Sequence, residues 1–309
     1  MINVRDIAYV RYQVPDIEQQ SVFLRDFGLN VLKQTDNTLQ MAAWSGGYPA
    51  YIAQKGEQRP LGVGFVAGSK ADLEKVAAAF GVDVRSNDEL DAGWVVTIAD
   101  PDGFVIDLLF GGDTIPGQSF REPLRINSAG ERVRRGHVNR VPAGPSHVVR
   151  LGHVVLKTVD FPAMLRFYEG ILGFQVSDSY YAQKPNQTVA AFLHCGLGST
   201  FTDHHTIALL GLGAKERDFD HSAFEVIDWD DLSTGNGFLA AKGYRHSWGI
   251  GRHVQGSQIF DYWRDPFGNK VEHWTDGDIV NESTPVGHEA LSPDALAQWA
   301  PPLPPDFLS

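Results

Sequence analysis

The 309-residue chain is poor in cysteine, has no long apolar run and has no excess of positive charge. Its single cysteine, Cys195, excludes an intrachain disulfide and fits a reducing compartment. No segment reaches the roughly 20 apolar residues that span a bilayer. The opening segment MINVRDIAYVRY has charges inside its apolar run, which is not typical of a signal peptide. The sequence therefore predicts a cytoplasmic protein with no membrane partner.

Basic side chains are the minority among the charged ones. The chain has 26 Lys and Arg against 38 Asp and Glu, a formal net charge of −12. Because nucleic acids and anionic membrane surfaces attract basic proteins, this balance argues against both as the main partner. Glycine is abundant, with 32 residues, and 43% of the chain is hydrophobic. This composition suits many short strands and two domains with cores of their own.

The first third of the chain alternates predicted strands and helices. Strand patterns cover residues 7–12, 61–66, 94–99 and 105–110, and the last two are joined by the turn sequence DPDG. Capping boxes at Asp16–Gln19 and at Ser69–Asp72 start two helices, which end near Gly28 and Gly81.

The same plan returns from about residue 151. FLRDFGL at Phe23 parallels FYEGILGF at Phe167, and DPDG at Asp100 parallels DPFG at Asp265. Such a repeat predicts two copies of one module. Each copy consists of two βαβββ units, so the fold class is α+β. Two curled half-sheets per copy predict two partly open barrels, each around a cavity.

The repeat predicts the domain boundaries. Residues 1–111 form an N-terminal domain, 112–148 a linker, 149–276 a C-terminal domain and 277–309 a tail. The linker carries several Arg, Gly and Pro residues with weak periodicity. The tail is expected to be irregular apart from a short helix near residues 293–299.

The segment 251–274, GRHVQGSQIFDYWRDPFGNKVEHW, predicts a strand, a turn and a return strand. Because side chains alternate along a strand, Tyr262 on the first strand and Glu272 on the second can face one point. His253 lies just upstream and can face the same point. An imidazole, a phenol and a carboxylate that converge are typical of a site.

The spacing of His253, Tyr262 and Glu272 resembles the C-terminal signature of the type I extradiol ring-cleavage dioxygenases, which belong to the vicinal oxygen chelate superfamily. The resemblance implies the vicinal oxygen chelate fold for both halves. It also implies a catalytic C-terminal domain and a metal-free N-terminal one. In that family, a glutamate at the place of Glu272 is part of an iron site.

The internal repeat identifies the other metal ligands. His153 falls opposite Tyr9, His221 falls opposite Gly62, and Glu272 falls opposite Asp107. Two imidazoles and a carboxylate form the facial triad of non-heme Fe(II) oxygenases, which leaves positions open for substrate and oxygen. Mn(II) suits the same ligands. Because the N-terminal copy lacks such a set, this comparison argues against a glyoxalase I-like site with ligands from both modules.

A second group of residues surrounds the predicted metal. The segment TDHHTIALL resembles the family segment with the acid–base histidine. His204 and His205 are adjacent, so strand alternation predicts that they face opposite ways and that only one points at the metal. The family register selects His205, and His204 is then a solvated or structural imidazole. The resemblance assigns His253 and Tyr262 to hydrogen bonds with the substrate. Phe192 and Trp248 are expected to line an aromatic pocket, and Trp263 is expected to lie near it.

The resemblance and these residues together imply an Fe(II)-dependent extradiol dioxygenase that opens the ring of a substituted catechol with O2. Two alternatives remain: a metal-free protein that binds a small molecule, and another enzyme of the superfamily such as a glyoxalase-type isomerase. The resemblance further implies a homo-oligomer.

Overall fold

Two large mixed β-sheets, one in each half of the chain, dominate the computed structural model, which describes residues 2–307. The strands of the N-terminal half are β1 (Val4–Val14), β2 (Asn30–Gln34), β3 (Thr38–Ala42), β4 (Pro49–Lys55), β5 (Arg59–Ala67), β6 (Arg85–Ser86), β7 (Trp94–Ala99) and β8 (Val105–Phe110). Its helices are α1 (Ile17–Phe27) and α2 (Lys70–Phe80).

The C-terminal half repeats this order with one short extra strand. Its strands are β9 (Val148–Lys157), β10 (Phe174–Tyr181), β11 (Thr188–Cys195), β12 (Thr202–Asp203), β13 (Ile207–Leu210), β14 (Asp218–Val226), β15 (Arg245–His253), β16 (Ile259–Arg264) and β17 (Lys270–Thr275). Its helices are α3 (Phe161–Gly170) and α4 (Trp229–Ala241).

The two sheets have the same topology. The order β2-β3-β4-β1-β5-β8-β7-β6 of the first sheet returns in the second as β10-β11-β13-β9-β14-β17-β16-β15. In each sheet the first strand pairs in parallel with the fourth strand of its own unit and antiparallel with the first strand of the next. Each half is therefore a pair of βαβββ units, and the α+β fold class is confirmed.

Local sequence signals explain where the helices begin. Asp16, Ser69, Asp160 and Asp228 stand before α1 to α4, and each side chain accepts a hydrogen bond from the backbone N–H three residues on. Such caps satisfy N–H groups that have no partner inside the helix. Gly28 ends α1 with φ of +112°, a value that L-residues with side chains rarely adopt.

The turns before the last strand of each half are held by the same kind of hydrogen bonds. Asp100 and Asp265 accept the N–H of the fourth turn residue through their backbone carbonyls. Their side chains accept further backbone N–H groups, at Phe104 in the first turn and at Phe267 and Asn269 in the second. Each turn thereby fixes the register of its hairpin.

The two halves share one hydrophobic core. Helices reach the turns of the opposite half: the Gln20 amide donates to Asp265 at 3.0 Å, and the Tyr168 hydroxyl donates to Asp100 at 3.1 Å. The ring of Phe27 stacks on His273 with 3.7 Å between ring centroids. These contacts join the halves through buried groups.

The C-terminal tail differs from the expectation. It contains β18 (Ile279–Val280), β19 (Gly287–Ala290), a 3₁₀ turn (Pro293–Ala295) and β20 (Ala297–Trp299). β19 pairs with β10 and β20 pairs with β15, so the tail extends the second sheet at both edges. The expectation of an irregular tail with one short helix is therefore wrong for these segments. Pairing with a distant edge strand leaves little local signal in a sequence.

Among the residues that the structure describes, 2–307, no helix is both long enough and apolar enough to cross a bilayer.

Candidate metal centre

Three neighbouring strands in the middle of the second sheet bring together His153, His221 and Glu272. They lie on β9, β14 and β17, and Ala223 of β14 pairs with both His153 and Glu272. One ligand atom of each side chain lies within 4.8 Å of the others. The Nε2 atoms of His153 and His221 stand 3.3 and 3.2 Å from the same oxygen of Glu272. The three residues are remote in sequence and meet only through the pairing of these strands.

The triad is buried, and its carboxylate lacks hydrogen bonds. Glu272 is fully buried, and His153 and His221 are 2% and 8% exposed. Both carboxylate oxygens of Glu272 and the Nδ1 of His153 have no hydrogen-bond partner within residues 2–307. Buried polar atoms without partners are unfavourable unless a ligand satisfies them. A carboxylate oxygen and two imidazole nitrogens aimed at one point fit a divalent metal ion of the Fe(II) or Mn(II) class.

The ionised state of Glu272 suits metal binding. Burial alone would raise the pKa of Glu272, but His153, His221 and His253 hold it well below its ordinary range. Burial lowers the pKa of His153. Burial would also lower the pKa of His221, but Asp220 and Glu272 raise it. The site therefore has an ionised carboxylate available as a metal ligand.

Behind His221 lies a buried ion pair that the sequence analysis missed. The Nδ1 of His221 is 2.8 Å from Asp220, and the Nζ of Lys270 donates to the same carboxylate oxygen at 3.0 Å. Burial would raise the pKa of Asp220, but Lys270 and His221 lower it strongly. Metal-binding histidines commonly donate their second N–H to a carboxylate, which fixes the ring. Asp220 adjoins His221 in sequence, so a carboxylate beside a candidate ligand was the available signal.

The N-terminal barrel has no room for the equivalent histidine. Gly62 occupies the place of His221 in the repeat, and a Cβ built there would lie 2.0 Å from the backbone oxygen of Val105. Any side chain at residue 62 would therefore require the neighbouring strand to move.

The remaining positions of the N-terminal barrel hold a closed polar cluster. The Tyr9 hydroxyl donates to Asp107 at 2.8 Å, and the Thr97 hydroxyl donates to the other oxygen of Asp107 at 2.6 Å. Arg11 forms an ion pair with Asp107 at 3.2 Å. Three side chains therefore bind the carboxylate of Asp107, whereas its counterpart Glu272 has no hydrogen-bond partner within residues 2–307.

His205 borders the same cavity as the triad. Its ring centroid is 4.1 Å from that of His153, and it is 3% exposed. Burial holds the pKa of His205 well below its ordinary range, and repulsion from His153 and His204 adds to the effect. The ring is therefore neutral at pH 7.

His204 and His205 do not alternate as expected. Residues 204–206 form a bend between β12 and β13, so strand alternation does not apply, and the Nδ1 atoms of His204 and His205 lie 3.1 Å apart. His204 is only 4% exposed and binds Asp178 through Nε2 at 2.6 Å. Of the two alternatives for His204, the solvated ring is wrong and the structural ring fits: His204 is buried and contacts both Asp178 and His205.

His253 and Tyr262 form a pair beside Glu272. The Tyr262 hydroxyl is 2.8 Å from the Nε2 of His253, and that nitrogen is 3.7 Å from Glu272. The Nδ1 of His253 is 2.8 Å from the carbonyl of Leu296 in the tail. Burial raises the pKa of Tyr262 well above its ordinary range, and Glu272 adds to this. The hydroxyl is therefore a hydrogen-bond donor at neutral pH.

A cavity of about 370 Å³ opens beside the triad. Phe192 and Trp248 line it, whereas Trp263 does not. Trp263 is fully buried on the other side of its strand, where its indole N–H donates to Asp261 at 2.6 Å. The expected position of Trp263 near the pocket is therefore wrong, because Trp263 alternates with Tyr262, which does line the cavity.

The tail forms the outer wall of this cavity, which the sequence analysis did not foresee. It contributes Leu291, Ser292, Leu296, Leu303 and Phe307. Side chains of the barrel hold the tail by its carbonyls: Tyr180 donates to Ala295, Trp248 to Pro301 and Lys270 to Phe307. No lysine or arginine is among the lining side chains of residues 2–307.

Comparisons with known proteins agree with this arrangement. The sequence profile of the Glyoxalase/Bleomycin resistance protein/Dioxygenase superfamily matches residues 150–273. The chain is 33% identical over 323 residues to Metapyrocatechase 2 of Cupriavidus necator, with 99% of this chain and 92% of that protein covered. It is 27% identical over 308 residues to Biphenyl-2,3-diol 1,2-dioxygenase of Paraburkholderia xenovorans (strain LB400), with 94% of each chain covered. The solved structure of the Mn(II)-bound glyoxalase from Novosphingobium aromaticivorans has the same fold, with a TM-score of 0.79 at 23% identity and coverage of 100% and 95%.

Proposed function

The chain belongs to the extradiol dioxygenases of the Glyoxalase/Bleomycin resistance protein/Dioxygenase superfamily, and from this premise we propose how its C-terminal half cleaves a catechol ring with O2. The metal is Fe(II), held by His153, His221 and Glu272. The observation that carries this proposal is the convergence of the three ligand atoms within 4.8 Å around a carboxylate without hydrogen bonds. Mn(II) is the alternative ion, because it accepts the same donors.

When bound, Fe(II) supplies the Lewis acidity and redox chemistry that allow a catechol to react with O2. His153, His221 and Glu272 would hold the ion beside the cavity that the two histidines line. A single carboxylate ligand leaves the Fe(II) site with a net charge of about +1, which favours an anionic catecholate over a neutral ligand.

His205 is the acid–base residue of this proposal. Its burial and its position against His153 support the assignment, since a neutral imidazole at the cavity wall can accept a proton from a catechol hydroxyl and return it later. His205 therefore holds the proton after it leaves the catechol hydroxyl and until it is returned to another oxygen atom.

Tyr262 and His253 hold the catechol oxygens. The hydrogen bond between them and their position beside Glu272 support this role, because both side chains can reach a group bound at the open face. Unequal hydrogen bonding of the two oxygens makes one of them an anion and keeps the other protonated. This asymmetry directs ring opening to the carbon beside the diol.

The substrate is a catechol with an apolar ring substituent. Phe192 and Trp248, with the leucines of the tail, support this choice, because an aromatic and aliphatic wall favours a hydrocarbon group. A cavity of about 370 Å³ suits a substituted monocyclic or small bicyclic diol.

The test of the proposed function is metal analysis and catechol turnover on protein purified without oxygen. We expect one equivalent of iron and a yellow ring-opened product that carries one new carboxylate beside an aldehyde or ketone. The variants His153→Ala, His221→Ala and Glu272→Ala should lose metal and activity while the far-UV spectrum is kept. A metal-free wild-type protein, or a dicarboxylic muconate as product, would refute the proposal.

We also propose a homo-oligomer in the cytoplasm. Exposed apolar side chains on the linker, among them Ile126 at 65% and Val138 at 71%, support a contact with another copy. Cys195 is free and buried, and burial raises its pKa to about 12, which fits a thiol that remains reduced. Light scattering tests the oligomeric state, and cell fractionation tests the location.

A further inference from the structure

A chain of buried hydrogen bonds lies behind His205, and the proposed function gives it no part. Asp178 binds the Nε2 of His204 at 2.6 Å, and the Nδ1 of His204 lies 3.1 Å from the Nδ1 of His205. The other oxygen of Asp178 accepts the backbone N–H of Gly287 at 2.8 Å. The three side chains therefore form one line from the tail strand β19 to the cavity.

The chemistry of the groups fixes the direction of these bonds. A carboxylate only accepts, so the Nε2 of His204 must carry the hydrogen that faces Asp178. When His204 is neutral, it has a single N–H, and its Nδ1 is then an acceptor. Its partner, the Nδ1 of His205, must then donate. The Nε2 of His205 is left with a lone pair, and His205 is the member of the line that borders the cavity.

We propose that Asp178 and a neutral His204 are positioning residues that hold His205 as the Nδ1–H tautomer, with the lone pair of Nε2 available to the substrate. The inference rests on the acid–base role given to His205 in the proposed function. Because these hydrogen bonds leave a lone pair on Nε2, His205 first accepts a proton as a base and only later donates it as an acid.

The proton balance follows from this tautomer. The O–H bond of one catechol hydroxyl breaks as an N–H bond forms at the Nε2 of His205, and the electron pair stays on the catechol oxygen. The imidazolium still donates from Nδ1 to His204, whose far nitrogen binds the carboxylate of Asp178. The negative charge of Asp178 therefore stabilises the protonated His205 through His204. The other tautomer of His205 would present an N–H to the catechol and could not accept its proton.

Gly287 makes the Asp178→Asn substitution a sharp test. The backbone N–H of Gly287 requires an acceptor, so the carbonyl oxygen of an asparagine at residue 178 should face it and the NH₂ group should face His204. His204 must then accept at Nε2 and donate from Nδ1. His205 must accept at Nδ1 and carry its hydrogen at Nε2. One isosteric change thus reverses every bond in the line.

The tautomer of His205 can be determined by NMR without catalytic turnover. In the Zn(II)-loaded protein, ring ¹⁵N shifts of a histidine-labelled sample should show His205 with a protonated Nδ1 and an unprotonated Nε2. The signals are assigned by their loss in His205→Phe. In Asp178→Asn the pattern should be inverted. An Nε2-protonated His205 in the wild-type protein would overturn the proposal, whether or not the variant folds.

Kinetics of the iron-loaded enzyme supply the second measurement. General acid–base groups contribute on the order of 10²–10⁴-fold, so kcat of Asp178→Asn should fall by about 100-fold or more with iron content and KM unchanged. Ser177→Ala is the matched control, because Ser177 donates to the backbone carbonyl of His204 and not to its ring. It should retain kcat.

Two outcomes of the kinetics count against the inference. Equal losses of kcat in Ser177→Ala and Asp178→Asn would show that the line only holds the bend in place. A wild-type kcat in Asp178→Asn would show that the tautomer is irrelevant. Failure of the wild-type protein to open any catechol would refute the proposed function instead, and the ¹⁵N result would still decide the tautomer.

Discussion

At the scale of single residues, Asp220 connects the metal centre to the rest of the protein. It binds both His221 and Lys270, so it orients a proposed metal ligand and neutralises a buried cation. Asp220→Asn should lower metal affinity by roughly 10–100-fold, the usual effect of losing a carboxylate behind a ligand histidine. Competition with a chelating dye measures this. Asp107→Asn, a buried aspartate of the N-terminal barrel, is the control and should bind metal like the wild type. Equal affinities in the two variants would contradict the role of Asp220.

Tyr262 gives a second test at this scale. Tyr262→Phe removes the hydroxyl that lies 2.8 Å from His253 and leaves the ring in its cluster with Trp248 and Phe307. The triad is untouched, so iron content should stay the same. Transition-state stabilisation should fall by about 1–3 kcal/mol, the scale of one hydrogen bond to a charged group. The ratio of kcat/KM values measures this loss. Tyr12→Phe removes a buried phenol outside the cavity and should be close to wild type.

The sequence alone pointed to residues that differ between the two copies of the repeat. It did not reveal residues whose position depends on contacts with distant parts of the chain. His153, His221 and Glu272 stand out because their counterparts are Tyr9, Gly62 and Asp107. The pairing of His204 with Asp178 has no local signal, because Asp178 lies on another strand. The assumption of strand alternation at His204 failed for a physical reason: residues 204–206 form a bend, and both rings can then lie on the same side of the chain.

At the scale of elements, caps and turns were the most predictable parts. Their signals are local: a side chain that accepts the N–H three residues on, and a glycine with positive φ at the end. The hairpins around DPDG and DPFG follow for the same reason. The strands of the tail were not predictable, because β19 and β20 exist only through pairing with β10 and β15.

The DPDG turn predicts a pH effect on stability. Burial raises the pKa of Asp100 from its ordinary value of 3.8 to about 6, and hydrogen bonds from Phe104 and Tyr168 offset only part of this. Between pH 4 and 6 the folded protein therefore binds more protons than the unfolded one. The contribution of Asp100 to the free energy of unfolding falls as the pH rises through this window and is constant above it.

Asp100→Asn removes this dependence. The amide can still accept the N–H of Phe104 and can donate to the hydroxyl of Tyr168. The stability of the variant relative to the wild type should rise by about 3 kcal/mol between pH 4 and 7, from about 1.4 kcal/mol per pKa unit. Urea unfolding at several pH values measures it. Parallel curves for the two proteins would contradict the raised pKa of Asp100.

At the scale of the whole molecule, the tail completes a cavity that the barrel alone leaves open. Three side chains of the barrel donate to tail carbonyls, and Phe307 packs on Trp248 and Tyr262. Removal of residues 291–309 should leave metal binding intact, because no triad residue lies there. The KM for catechols should rise, because one wall of the cavity is lost. Metal analysis and kinetics of the truncated protein measure this. An unchanged KM would show that the tail has no part in binding.

The charge of the substrate provides the last prediction at this scale. No lysine or arginine lines the cavity within residues 2–307, and the chain as a whole carries a net charge of −12. A carboxylate on the ring substituent would therefore lose its hydration without gaining a partner, which costs several kcal/mol. The value of kcat/KM for 3,4-dihydroxyphenylacetate should be at least about 100-fold below that for 4-ethylcatechol, which matches about 3 kcal/mol at 1.4 kcal/mol per tenfold change.

Leu303→Arg tests the cause of this preference. Leu303 lines the cavity from the tail, far in sequence from the triad, so an arginine there places a guanidinium at the wall without altering the metal ligands. The rate with 3,4-dihydroxyphenylacetate should increase, because the carboxylate gains a bidentate partner. The rate with 4-ethylcatechol should decrease, because the substituent then meets a charged group. If both rates fall together while iron content is kept, the missing cation is not what excludes the acid, and shape must set the selectivity instead.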